Sequence, residues 1–101
     1  MEKAYIKLES YREKLRHIDY KLIALLGERA ELSEGIGMLK FHHKIDIKQD
    51  EYWEMATEMR KQFIVHARLN SEFVNNIFQL IQKQSIRIQE DVSKELQNEQ
   101  K

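Results

Sequence analysis

Apolar or aromatic side chains fall at Leu8, Tyr11, Leu15, Ile18, Leu22 and Leu25, then at Leu32, Ile36 and Leu39. This alternating three-and-four spacing lays one stripe along a helix. It predicts a first helix from about residue 4 to about residue 41, roughly 55 Å long at the rise of an α-helix. A helix of that length exceeds what a small domain usually contains and needs a partner along it. The segment "FHHKIDIKQD", Phe41 to Asp50, loses the period and reads as a polar loop, with Asp50 placed to cap the next helix. That shorter second helix, about residues 50 to 66, puts Tyr52, Met55 or Ala56, Met59 and Phe63 on one side. "RLNSEF" then supplies Asn70 or Ser71 as an N-cap. The third helix, about residues 70 to 95, carries Val74, Ile77, Phe78, Ile81, Ser85 and Ile88 on one face, until "SKELQNEQK" turns polar enough to fray.

Composition strengthens the helical reading. Proline is absent and glycine occurs three times, so the punctuation of a sheet-rich domain is missing and the expected class is all-α. A chain of 101 residues fits one small domain, residues 1–101. A helical chain of that size leaves apolar stripes uncovered when it is open, which predicts a homodimer. Seventeen basic and seventeen acidic side chains cancel, so the overall charge gives no reason to expect a nucleic acid or an anionic membrane as partner. With no cysteine, disulfides and thiolate metal sites are excluded. The opening "MEKAYIKLESYREK" has no apolar leader region, and no stretch approaches the roughly 20 apolar residues of a membrane span. The expected location is the cytoplasm.

The polar residues inside the stripe carry the chemical interest. Arg29 stands between Leu25 and Leu32, where the seam calls for an apolar residue. A buried cation without a counter-charge costs several kcal/mol. Arg29 therefore reaches water, pairs with a glutamate on a neighbouring helix, or meets an anionic ligand. Lys40 stands 11 residues later, close to three turns, on the same face, with Ser33 and Ile36 between them. Gly35 and Gly37 remove bulk nearby, either for a ligand or for packing against another helix. Arg12 lies 17 residues before Arg29, about 25 Å away along the helix and about 100° around it. It cannot serve the same pocket from the same chain, but in a crossed or antiparallel dimer it reaches the partner's. On the third helix Ile81, Ser85 and Gln89 recur every four residues and turn polar. Arg12, Arg29, Lys40, Ser85 and Gln89 together would suit a polyanion that also carries a neutral polar group.

These residues also carry a family resemblance. "YREKLRHIDYKLIALLGERAELSEGIGMLK" is similar to the opening helix of the all-helical chorismate mutases, with its leading arginine, "ID" pair, "LL.ER" and later "G..K". "LNSEFVNNIFQLIQKQSIRIQ" resembles the family's third helix with its "S...Q" ending, and the similarity runs from about Leu8 to Glu90. The resemblance implies an intertwined dimer of three-helix chains with two sites built from both protomers. It implies that Arg29 and the partner's Arg12 bind two substrate carboxylates, that Ser85 sits near one of them, and that Lys40 and Gln89 face the ether oxygen of the breaking C–O bond. The implied reaction is the Claisen rearrangement of chorismate to prephenate, in aromatic amino-acid biosynthesis, with no metal, cofactor or nucleophile. Such a step needs a compact substrate conformer and stabilisation of the charge that develops on oxygen, which fixed cations and an amide donor supply.

The second helix departs from the family. Where the pattern has an "RE" pair, an arginine near a carboxylate and a glutamate on the ring hydroxyl, this chain has Tyr52 and Trp53. An aspartate three residues ahead of that arginine is replaced by Gln49. Losing a bound arginine and a carboxylate removes a few kcal/mol of substrate or transition-state binding. Two alternatives arise: an isochorismate pyruvate lyase-like enzyme that forms salicylate, or a weakly active mutase-like binding protein. His42 and His43 are expected in the loop, solvated.

Overall fold

The long alternation of leucine and charged residues, uninterrupted by proline, gives helix nearly throughout. The structure, a computed structural model, describes residues 1–100. It contains α1 (Glu2–His43), α2 (Asp50–His66) and α3 (Ser71–Glu99), and no strand among the described residues. The all-α, three-helix expectation with a very long first helix agrees with it. Two expected boundaries move. Phe41, His42 and His43, expected in a loop, form the last turn of α1, where Lys40, His42 and His43 bring basic side chains to the negative end of the helix dipole. α3 runs four residues beyond its expected end.

Both α1 and α2 stop in the same way. Lys44 takes a left-handed conformation (φ 54°), with its N–H on Phe41 O at 3.4 Å and the N–H of Ile45 on Lys40 O at 2.8 Å. Arg68 (φ 58°) repeats the pattern, its N–H on Val65 O and that of Leu69 on Ile64 O. These paired bonds are Schellman motifs, with lysine and arginine in the place glycine usually fills and an apolar residue next in the chain. The end of α2 at His66 agrees with the expected one, while the left-handed geometry of both stops was not visible in the sequence, because no glycine marks it.

The starts differ from each other. Asp50 does not cap α2: it is the first helical residue, and Gln49 stands at the cap position without a side-chain bond. Asp50 and Glu51 still place negative charge at the positive end of the dipole. At α3 the expected cap forms, with the Phe73 N–H donating to Asn70 Oδ1 at 2.9 Å.

The chain divides into two units, Met1–Glu31 and the remainder from Leu32. In the first, every side chain is exposed except half-buried Ala30, including the stripe Leu8, Tyr11, Leu15, Ile18, Leu22 and Leu25. Glu9 pairs with Arg12 at 3.8 Å and with Arg16 at 3.1 Å. Exposed pairs of this kind contribute at most about 1 kcal/mol.

In the second unit α2 packs on α3. The less exposed side of α2 carries Trp53, Ala56, Thr57, Arg60 and Ile64, and α3 answers with Phe78, whose ring meets Arg60. The expected stripe of Tyr52, Met55, Met59 and Phe63 points outward instead, Phe63 being 69% exposed; of that set only the alternative Ala56 turns inward. Two stripes about 100° apart compete on this helix, and the inner one wins with small Ala56 and Thr57 plus an aromatic clamp. The Arg60 guanidinium lies 4.8 Å from the centre of the Trp53 ring and 4.1 Å from that of Phe78, a cation held between two faces. Arg60 also donates to Thr57 Oγ1 at 3.2 Å, and Thr57 in turn donates to Trp53 O at 2.8 Å.

Candidate active site

The C-terminal end of α1 and the middle of α3 meet where side chains are smallest. A Cβ on Gly37 would lie 3.1 Å from Gln89 Cα and 3.4 Å from Val92 Cβ, so only glycine admits this approach without movement. Four residues earlier on α1, Ser33 Oγ lies 2.7 Å from Ser85 Oγ. The pairings 33 with 85 and 37 with 89 advance together, so the two helices run in the same direction here. Both glycine and serine thus act as packing residues that let polar groups meet in a dry contact.

Ser33 is 4% exposed and Gln89 6%. Gln89 Nε2 donates to Ser85 Oγ at 3.2 Å, completing a chain of Ser33, Ser85 and Gln89. Gln89 Oε1 is buried and, among the described residues, receives no hydrogen bond. A bare buried acceptor costs about 1–3 kcal/mol, which makes this carboxamide a place where a ligand or water is favoured.

Lys40 stands three residues after Gly37, on the same side of α1. Its Nζ donates to Ile47 O at 2.7 Å in the connecting loop. Lys40 is half-buried, and loss of solvent lowers its pKa from the usual lysine value. Among the described residues no carboxylate forms an ion pair with it. One ammonium hydrogen serves the loop carbonyl, and two remain.

The structure therefore brings Lys40, Ser85 and Gln89 onto two facing helices. Tyr52 is exposed, Gln49 is exposed at the head of α2, and Trp53 is turned into the clamp around Arg60. Arg12 and Arg29 are exposed residues of the Met1–Glu31 unit. Sequence reasoning passed over Ser33 as merely small, and missed Arg60 and the Ile47 carbonyl. A polar residue inside the seam one heptad before Lys40 was the available signal for Ser33. A backbone carbonyl leaves none.

Residues 11–90 match the model of the chorismate mutase type II family, which is most of the chain. The chain belongs to the chorismate mutase type II family. Neither the search of curated proteins nor that of solved structures gives a match. The match covers the whole of α2 and the parts of α1 and α3 that hold Ser33, Gly37, Lys40, Ser85 and Gln89. No helix of the described residues is long and apolar enough to cross a membrane.

Proposed function

We propose that this protein is a chorismate mutase, converting chorismate to prephenate by a Claisen rearrangement. In that step the ether C–O bond breaks as a C–C bond forms, in one concerted movement of electrons and without a covalent enzyme intermediate. Negative charge grows on the ether oxygen. The Lys40 ammonium and the Gln89 amide hydrogens are the donors for it, Arg29 and the partner's Arg12 take the two carboxylates, and Ser85 lies beside one of them. Catalysis then consists of holding a compact substrate and of donors already in place where charge develops. The reading requires no cofactor or metal.

The observation that supports it best is the buried Gln89 carboxamide, joined to serines of facing helices with Lys40 one turn beyond the Gly37 contact. A homodimer completes the proposal, because Leu15, 57% exposed, and its stripe need a cover that the Met1–Glu31 unit does not provide by itself. In the cell the expected location is the cytoplasm, with the product feeding aromatic amino acids. The test is a continuous assay of chorismate loss with prephenate identified as product. No rate above the uncatalysed background in the wild-type protein sinks the proposal.

A second reading has its own observation. Tyr52 and Trp53 offer no carboxylate for the substrate's ring hydroxyl, and Trp53 is committed to Arg60 and Phe78. A site without that carboxylate would tolerate the hydroxyl elsewhere on the ring, as an isochorismate pyruvate lyase does. Salicylate released from isochorismate faster than prephenate from chorismate would favour it.

A further inference from the structure

The Gln89 carboxamide can sit in two ways, and the serines beside it decide between them. In one, Nε2 donates to Ser85 Oγ at 3.2 Å and Oε1 is left bare and buried. Turned by 180° about its last bond, the group presents Oε1 to Ser85 and both Nε2 hydrogens to the opposite side. The second orientation requires Ser85 to give its hydroxyl hydrogen to Oε1. A serine on a helix otherwise spends that hydrogen on the carbonyl four residues back.

We propose that Ser33 is a positioning residue: its hydroxyl donates to Ser85 Oγ, Ser85 donates to Gln89 Oε1, and the carboxamide is thereby held with both amide hydrogens on the side away from Ser85, where an acceptor on the ligand would take them. The 2.7 Å separation of the two serine oxygens is that of a strong hydroxyl–hydroxyl bond, in which either oxygen can be the donor. With Ser33 as donor, all hydrogens along the chain point one way, and each bond polarises the next. Ser33 is 4% exposed, so water does not compete for its hydroxyl, and the Gly37 contact on Gln89 Cα fixes the spacing on which the chain depends. The catalytic part of this inference rests on the mutase reading, in which Gln89 donates to the reacting oxygen. The orientation of the carboxamide does not.

The test compares Ser33→Ala with the wild type in two readouts. The Gln89 side-chain amide pair is observed by proton–nitrogen NMR and assigned by its disappearance in Gln89→Ala. The proposal expects Ser33→Ala to displace that pair while the helical amides stay in place and the unfolding midpoint falls by no more than the loss of one buried hydrogen bond accounts for. It further expects kcat to fall about tenfold, the scale of one buried hydrogen bond, with KM unchanged. In a Gln89→Ala background Ser33→Ala should have no further effect, since it acts through Gln89. An unmoved amide pair overturns the relay. So does an unchanged kcat, or an equal loss of kcat in both backgrounds. A wild type that does not turn over chorismate defeats the functional reading alone, and the NMR displacement then decides the relay.

Discussion

Lys40 combines a desolvated ammonium with a single loop carbonyl and no paired carboxylate among the described residues. Its pKa is lowered, so the charged form that the proposed chemistry needs prevails below that pKa and is lost as pH rises through it. The sign is that of a base limb: kcat/KM should be level near neutrality and fall at alkaline pH earlier than a free lysine would dictate. Lys40→Arg should abolish or move that limb upward, and a pH–rate profile of both proteins checks it. Gln89 does not titrate, so it adds no acid limb of its own. Lys40→Ala should lower kcat about 10²–10³-fold, the scale of losing one preformed donor to a developing oxyanion. Lys40 and Gln89, which the proposed chemistry uses, stood out in the sequence because charge and amide groups interrupt an apolar stripe, which is costly without a purpose. Ser33 did not, since serine is small enough to pass as packing and its role depends on a residue 52 positions away.

Among the helices the two glycines near the site make opposite predictions from the same substitution. Gly35 has nothing within 4 Å of an added Cβ, so Gly35→Ala should stabilise the fold by about 1 kcal/mol through helix propensity. At Gly37 the added methyl meets the backbone of α3 at 3.1 Å, and Gly37→Ala should cost about 1–3 kcal/mol as the helices are forced apart. Urea unfolding of the two variants side by side checks the contrast. The clamp between α2 and α3 can be read by light, because Trp53 is the sole tryptophan. Arg60→Met should destabilise by about 1–3 kcal/mol and alter Trp53 emission, since a desolvated cation over an aromatic face is worth up to about 2 kcal/mol. Element type was readable throughout from the period. The register of α2 was not, because Tyr52, Met59 and Phe63 are larger and more apolar than Ala56, Thr57 and Arg60, yet the latter face α3. Packing there is decided by fit and by one sandwiched cation rather than by the hydrophobic tally. The left-handed caps at Lys44 and Arg68 were equally hidden, since no glycine marks them, although the end of α2 at His66 was expected.

At the scale of the whole molecule, the proposed dimer takes Arg29 from one protomer and Arg12 from the other at each site, and both side chains are exposed in the single chain. This differs from two self-contained sites in a way that mixing can detect. Arg12→Ala and Arg29→Ala homodimers should each be strongly impaired, because each lacks one carboxylate partner at both sites. After the two variants are unfolded and refolded together, half of the dimers should be mixed. In a mixed dimer one site has lost both arginines and the other has kept both, so recovered activity should approach about a quarter of the wild-type value for a freely exchanging two-fold dimer. Sites confined to one chain would show no recovery, since every site would still lack one arginine. Light scattering should give twice the chain mass for the wild type, and Leu15→Glu with Leu22→Glu should lower both the mass and the activity. If mass falls while activity per chain survives, the shared-site arrangement is wrong and Arg12 belongs to the surface it is seen on, paired with Glu9.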